Sequence, residues 1–318
     1  MTSTHSRTLG KSDLSVFPLC LGGNTFGWTA DASESEAVLD AFVADGGNFI
    51  DTADGYSQWK PGNVGGESEQ IIGDWMRTRG NRSDVVVATK VSRLAPNTGL
   101  SSASIANGAE ASLRRLQTDY IDVYYAHYDD LTVPIEESAA AFNQLVVDGK
   151  VRHLALSNYT GERLEEFLAC CEVNSFAKPI LFQPHYNLVF RTEYESDMAP
   201  AVDNLGLSVA PYYSLASGYL TGKYANPEEF AASPRKAGLL NYDNPQARVV
   251  LAKVADIAAG HGVSSASVAL AWLLTRKHVD APIASARVVS QLPDLMAGAR
   301  LQLAADEVSA LTSASNGL

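Results

Sequence analysis

The sequence predicts an α/β fold, a single (β/α)8 TIM barrel over residues 1–318 with an N-terminal β-hairpin and extra C-terminal helices. Three observations carry this. Short apolar runs alternate with helical periodicity, as expected for parallel strands buried on both faces. Eight such runs are present, which favours closure over an open sheet. Three of them end on an ionisable residue: Asn48-Phe49-Ile50 on Asp51, Val85-Val86-Val87-Ala88-Thr89 on Lys90, and Ile121-Asp122-Val123-Tyr124-Tyr125-Ala126 on His127. A barrel places its chemistry at the C-terminal ends of its strands, so these three residues share one face. Tyr56, five positions past Asp51, joins them from a loop.

The elements follow in order. Turn residues in Leu9-Gly10-Lys11-Ser12-Asp13-Leu14 predict a hairpin within 7–15, and 16–21 reads as the first barrel strand. Residues 33–44 read as a helix capped by Ser33, with Glu36 completing a capping box. Strand 48–52, helix 67–79, strand 85–90, helix 102–116, strand 121–126 and helix 135–148 follow, with Gly149 closing the last at its C′ position. Strand 151–156, helix 161–171, strand 180–183 and helix 194–205 come next, ended by Gly206. Strand 207–212 is the seventh. Residues 213–243 form a loop too long for an ordinary connection, which marks it as functional. Helices 244–260 and 264–276, strand 281–284, and helices 288–299 and 304–313 complete the chain. No Pro/Ser-rich linker divides it, so one domain is expected.

Composition narrows the function. Of the 318 residues 46% are hydrophobic, enough for a large core, and the net charge is −12. That charge disfavours nucleic acid and anionic membrane surfaces as partners. Cys20, Cys170 and Cys171 are odd in number and lack metal-ligand spacing, which reads as reduced thiols in a cytoplasmic protein with no metal. Cys20 lies in an apolar run and is assigned to the core. The N-terminus is polar and no stretch has the length and apolarity of a membrane span.

Six segments together resemble the aldo-keto reductase family, over nearly the whole chain, in the bacterial-type branch related to potassium-channel β subunits. Phe49-Ile50-Asp51-Thr52-Ala53-Asp54-Gly55-Tyr56 is similar to the family's D-T-A-x-x-Y segment. Val87-Ala88-Thr89-Lys90 resembles its lysine strand, and Asp119 to His127 its histidine strand. Leu156-Ser157-Asn158-Tyr159 and Gln183-Pro184-His185-Tyr186-Asn187-Leu188 resemble nicotinamide-contacting segments, and Leu215 to Tyr224 a pyrophosphate loop. Any one is weak, and a lone loop tyrosine, strand-end lysine or strand-end histidine is usually structural. Six in family order reverse that weighting.

The resemblance implies a mechanism. A nicotinamide delivers hydride to a carbonyl carbon and Tyr56 protonates the developing alkoxide. Free tyrosine, with a pKa of about 10, is a poor acid near neutrality. Lys90 would lower that value by stabilising the phenolate, Asp51 would hold Lys90, and His127 would orient the carbonyl oxygen or share the proton transfer. For the cofactor, the resemblance assigns Ser157, Asn158 and Gln183 to the carboxamide. It places Tyr212 under the nicotinamide, with Tyr213 following where the family more often has Ser. Leu215, Ser217 and Gly218 would wrap the pyrophosphate, with Lys223 adding charge. Ser285, Arg287 and Gln291 fall at the 2′-phosphate position, which favours NADPH over NADH because an arginine fork suits a phosphate. Asp294 and Leu295 replace a Glu-Asn pair found there in the family. Phe26, Trp28, Trp59 and Tyr128 lie on active-face loops and are expected to line an apolar pocket for a small carbonyl or alcohol substrate. Segment 57–66 is longer than the usual family loop, and is expected to reshape the pocket or a subunit contact.

Three alternatives stand beside this reading. Tyr219 and Lys223 have the Y-x-x-x-K spacing of short-chain dehydrogenases, but Gly22-Gly23-Asn24-Thr25-Phe26-Gly27 is not the Gly-rich turn those enzymes need. The same fold could serve as an NAD(P)+-dependent sugar or alcohol dehydrogenase, since the chemistry is reversible. It could also be a non-catalytic NADPH-binding regulatory subunit. The oligomeric state and the physiological substrate are left open by the sequence.

Overall fold

The computed structural model describes residues 6–223 and 236–318. Ten strands and eleven helices are described. Strand β1 (Arg7–Thr8) pairs antiparallel with β2 (Ser15–Val16), which forms the expected hairpin. The eight others make one parallel sheet: β3 (Cys20–Gly22), β4 (Phe49–Asp51), β5 (Val86–Val91), β6 (Ile121–Ala126), β7 (Val151–Ser157), β8 (Pro179–Gln183), β9 (Ser208–Val209) and β10 (Ile283–Ala284). They pair in chain order, and β10 returns to β3. Closure on the far side is a parallel bridge between Val209 and Val279, with Asp280 N–H donating to Val209 O at 3.0 Å and Ile283 N–H to Pro211 O at 3.0 Å. The result is a (β/α)8 barrel.

Helices between the strands are α1 (Ala32–Ala44), α2 (Glu67–Arg79), α3 (Ser102–Leu116), α4 (Ile135–Val147), α5 (Gly161–Asn174) and α6 (Ala199–Leu205). After β9 come α7 (Lys236–Leu240), α8 (Pro245–His261) and α9 (Ser265–Leu274), and after β10 come α10 (Leu292–Arg300) and α11 (Ala305–Ala314). Gly149, at φ +72°, and Gly206, at φ +68°, end α4 and α6 in the left-handed region, as expected.

Several boundaries differ from the sequence reading. The first barrel strand begins at Cys20, not at 16, because Val16 belongs to the hairpin and Pro18 cannot donate to a ladder. The cap of α1 is Asp31, not Ser33: Glu34 N–H donates to Asp31 Oδ1 at 2.8 Å, and Asp31 N–H donates to Glu34 Oε2 at 3.0 Å. The helix expected over 194–205 opens with a π turn at Tyr194–Met198, directly before Pro200, which lacks an N–H. Strands β9 and β10 are shorter than expected, with Pro211 and Pro282 beside them. The segment expected over 213–243 as loop contains a 3₁₀ turn at Ala216–Thr221 and α7, and 224–235 lies outside the described residues. The helix expected over 288–299 starts as a 3₁₀ turn at Val289–Gln291 before α10.

Two apolar layers follow from the strand period of two. Leu19, Leu21, Ile50, Val87, Val91, Tyr124, Leu154 and Phe182 face outward into the layer packed by the helices. Cys20, Phe49, Val86, Ala88, Val123, Tyr125, Ala155, Leu181 and Ile283 face inward and fill the barrel. The hairpin adds Leu9, Leu14 and Val16 to that interior layer, so it plugs the N-terminal mouth. Among the described residues no single helix is long and apolar enough to cross a membrane.

Candidate active site

The inward parity decides which polar residues meet. Phe49 faces in, so Asp51 does; Val86 and Ala88 carry the parity to Lys90, Val123 and Tyr125 to His127, Ala155 to Ser157, and Leu181 to Gln183. Each stands at the C-terminal end of its strand, so the filled interior finishes in a polar layer. Tyr56 enters from the loop after β4, where Tyr56 N–H donates to Ala53 O at 3.2 Å.

Lys90 is fully buried and its ammonium lies 2.6 Å from the Asp51 carboxylate. It also donates to Thr52 O at 2.8 Å and to the Tyr56 phenol oxygen at 3.0 Å. Those three contacts match the three donors of an ammonium. The Tyr56 hydroxyl donates to Asp51 Oδ2 at 3.0 Å, and Gln183 Nε2 donates to Asp51 Oδ1 at 3.0 Å. The His127 ring lies 6.1 Å from the Tyr56 ring, centroid to centroid. Asp51, Tyr56, Lys90 and His127 are thus brought together.

Electrostatics here differ in one respect from the sequence expectation. The Tyr56 phenol is pushed well above its ordinary value, first by burial and then by the Asp51 charge, rather than lowered by Lys90. Burial lowers the Lys90 pKa, with Asp51 pulling the other way. His127 is held well below 6.5 by burial and by the Lys90 and Arg93 charges, so its imidazole is neutral. The site therefore keeps its tyrosine protonated and its histidine uncharged at neutral pH.

The residues expected around a nicotinamide form one bonded group. Ser157 Oγ donates to Gln183 O at 2.8 Å, and Asn158 Nδ2 donates to His127 O at 2.8 Å and to Ser157 Oγ at 3.0 Å. Asn158, at φ +57°, accepts the Tyr212 hydroxyl on Oδ1 at 2.8 Å. Tyr212 stacks on His185 with centroids 5.3 Å apart, and His185 stacks in turn on Phe190 at 3.9 Å. Tyr213 stands edge-on to Tyr212 and is half exposed. Beyond them Leu215 leads into a kink: Ser217 (φ +57°) and Gly218 (φ +97°) leave helical geometry in succession. Lys223 is exposed at the end of that turn. Ser285 Oγ donates to Asn24 Oδ1 at 2.6 Å, and a Cβ on Gly22 would come within 2.5 Å of Ser285 Oγ, so glycine is required for that approach. Arg287 N–H donates to Gln291 Oε1 at 2.8 Å, so Gln291 sets the Arg287 backbone. The Arg287 guanidinium is exposed and has no ion pair among the described residues.

Three of the four aromatic residues expected at the mouth are there. Trp59 lies edge-on to Trp28 at 5.5 Å and to Tyr56 at 6.3 Å, and Tyr128 lies against His127 at 5.1 Å. Phe26 is the exception: it is fully buried in the outer apolar layer and supports the mouth from behind rather than lining it. Segment 57–66 folds onto the loop after β3. Asn63 Nδ2 donates to Gly27 O at 3.1 Å and to Ser57 O at 2.9 Å, Lys60 Nζ donates to Gly27 O at 3.1 Å, and Ser57 Oγ donates to Phe26 O at 2.7 Å. This folding carries Trp59 over Tyr56.

Two neighbours escaped the sequence reading. Asp54 is buried with neither carboxylate oxygen in a close hydrogen bond, and burial together with the Glu69 charge pushes it up to about 7. Arg93 follows strand β5 and stacks on Tyr128. Asp54 was visible as an acid between the end of the first such run and Tyr56; Arg93 left no signal, because its position depends on how the chain turns after Val91.

Comparison with known proteins gives the same grouping. Residues 18–316 match the family model described as Aldo/keto reductase family. The chain is 36% identical over 302 residues to a probable voltage-gated potassium channel subunit beta of Oryza sativa subsp. japonica, covering 91% of this chain and 89% of that one. It is 36% identical over 304 residues to the uncharacterized oxidoreductase YrpG of Bacillus subtilis (strain 168), covering 93% and 91%. It is 31% identical over 332 residues to norsolorinic acid reductase B of Dothistroma septosporum, covering 98% and 82%.

Proposed function

The chain belongs to the aldo/keto reductase family, and from that premise we propose that it reduces an aldehyde or ketone to an alcohol with NADPH, as one catalytic domain. The observation that carries the reading is the Lys90 ammonium held between the Asp51 carboxylate and the Tyr56 phenol oxygen at a shared strand-end layer.

The residues present fit a nicotinamide cofactor. Tyr212, backed by His185, offers a ring at the rim, the Ser217–Gly218 kink leaves helical geometry beside it, and Arg287 has an exposed guanidinium with no ion pair among the described residues. Leu215, Ser217, Gly218 and Lys223 would hold the pyrophosphate, Ser285, Arg287 and Gln291 the 2′-phosphate, and Ser157, Asn158 and Gln183 the carboxamide. When bound, the cofactor supplies the hydride. This chain's own groups handle the proton. Tyr56 holds its own proton, hydrogen-bonded to Asp51, and the hydroxyl passes it to the carbonyl oxygen as hydride transfer turns that oxygen into an alkoxide, a stronger base than the carboxylate. An alkoxide is more basic than a phenolate, so a raised Tyr56 pKa does not prevent the transfer. Lys90 meets the phenolate left behind, and neutral His127 orients the carbonyl oxygen. General acid catalysis of this kind contributes roughly 100- to 10,000-fold. Trp28, Trp59 and Tyr128 would line the substrate pocket.

The test is NADPH consumption with 4-nitrobenzaldehyde and a panel of simple carbonyls and alcohols, beside direct NADPH binding. Turnover upholds the reading. Binding without turnover of any carbonyl or alcohol favours the regulatory alternative, which the likeness to plant channel β subunits keeps in view.

A further inference from the structure

Strand β5 ends at Val91, and the chain then turns sharply. Ser92 has φ +121°, a strained value for a residue with a side chain, and its buried hydroxyl has no hydrogen-bond partner among the described residues. Gly99 N–H donates back to Ser92 O at 3.0 Å. Strain of this kind, held by surrounding structure, marks a place where the direction of the next side chain matters.

That next side chain is Arg93. Its guanidinium carbon lies 4.5 Å from the centroid of the Tyr128 ring, and Tyr128 lies against His127. Its Cβ packs beside the Gly55 turn that leads into Tyr56, where an added Gly55 Cβ would be 3.4 Å away. Arg93 is exposed, and its guanidinium has no ion pair and no hydrogen bond among the described residues. Contrast Arg79, Arg82, Arg115, Arg152 and Arg163, each of which sits against a carboxylate. In a chain of net charge −12, an arginine held on a ring with its donors uncommitted is notable. Its charge also contributes to holding His127 neutral, so its field reaches the site. Across Tyr56 stand Trp28 and Trp59, edge to face. The mouth therefore offers flat rings with the Arg93 guanidinium stacked on one of them.

We infer that Arg93 forms an anion subsite beside the Tyr56 hydroxyl, and that the preferred substrates are aromatic aldehydes or ketones bearing a carboxylate; this rests on the reductase reading above. A planar guanidinium pairs with a carboxylate through two parallel hydrogen bonds, and stacking on Tyr128 fixes the fork before the substrate arrives. The tryptophans would hold the substrate ring while its carbonyl reaches Tyr56.

The experiment compares carboxybenzaldehydes (3- and 4-substituted) with their methyl esters, which have the same ring but no charge, in wild type, Arg93→Gln and Arg93→Lys. The readout is the acid-to-ester ratio of kcat/KM at fixed NADPH. Wild type should prefer the better acid by about tenfold or more, the scale of a charge-assisted hydrogen bond. Arg93→Gln should bring the ratio to about one, through KM for the acid, and Arg93→Lys should fall between, keeping charge without the fork. Esters reduced with no preference for the acid, or a preference untouched by Arg93→Gln, overturn the subsite and leave the reductase reading standing. If none of these aldehydes is turned over, the panel of carbonyls and alcohols above decides the reductase reading on its own. Quenching of tryptophan fluorescence by 4-carboxybenzaldehyde then decides the subsite: binding weakened about tenfold in Arg93→Gln upholds it, and equal or absent binding overturns it.

Discussion

Buried charges at this site are each held by named partners, and Lys90 depends on them most. It has no contact with water, and Asp51, Thr52 and Tyr56 take its three donors. Removing one member of such a pair strands the other, at a cost of about 3–5 kcal/mol. Asp54 differs, because burial and the Glu69 charge outweigh the Gly55 and Leu94 backbone groups and the Arg115 charge near its carboxylate, and it titrates at about 7 against an ordinary 3.8. The folded protein therefore binds that proton more tightly than the unfolded chain. Stability from Asp54 is full below about pH 4 and falls as pH rises to about 7, by up to about 4 kcal/mol. Asp54→Asn should flatten that slope. Urea midpoints at pH 5 and pH 8 should separate the variant from wild type, with the variant the more stable at pH 8; parallel slopes would contradict the assignment. At this scale Asp51, Lys90 and His127 were legible in the sequence, since each ends an apolar run. The raised Tyr56 pKa was not, because it depends on burial and on which partner the hydroxyl faces. Phe26 was misread because an aromatic residue on an active-face loop can point into the core as easily as into the mouth.

Strands and loops carried their information unequally. Helices α2 and α3 and strand β6 fall where the sequence placed them, since periodicity and capping residues agree there. Short strands beside proline were overextended: apolar composition continues past Pro18, Pro211 and Pro282, while ladder hydrogen bonding does not. Segment 57–66 was legible only as long; its role came from Asn63 and Lys60 fastening it to Gly27. The segment after β10 carries the cofactor prediction. Gln291 holds the Arg287 backbone while the exposed guanidinium has no ion pair among the described residues. Arg287→Ala should raise KM for NADPH about tenfold or more, the loss expected for a charge-assisted contact, with little change for NADH. Equal effects on both cofactors would contradict the 2′-phosphate assignment.

At the scale of the whole molecule, the hairpin plug and the proposed catalytic residues occupy opposite ends of the barrel. Leu9, Leu14 and Val16 close the N-terminal mouth, while Asp51, Lys90, His127 and Tyr56 stand at the C-terminal one. Leu9→Ala should therefore destabilise by about 2–5 kcal/mol through the cavity it leaves, with kcat and KM unchanged at a temperature where the variant is folded. A matching loss of kcat would mean the hairpin reaches the site. The barrel itself was legible because eight units recur in chain order and sequential strands pair. Its mode of closure was not, since Val209 and Val279 meet through an isolated bridge that no local pattern announces.

The central claim is that Tyr56 is the proton donor of a carbonyl reductase. The most direct measurement is turnover of an activated aromatic aldehyde by Tyr56→Phe beside wild type, with NADPH affinity determined on both proteins. The account predicts that turnover falls by roughly 100-fold or more while NADPH binding is retained, because the substitution removes the proton and little else. Equal turnover by the two proteins would contradict it.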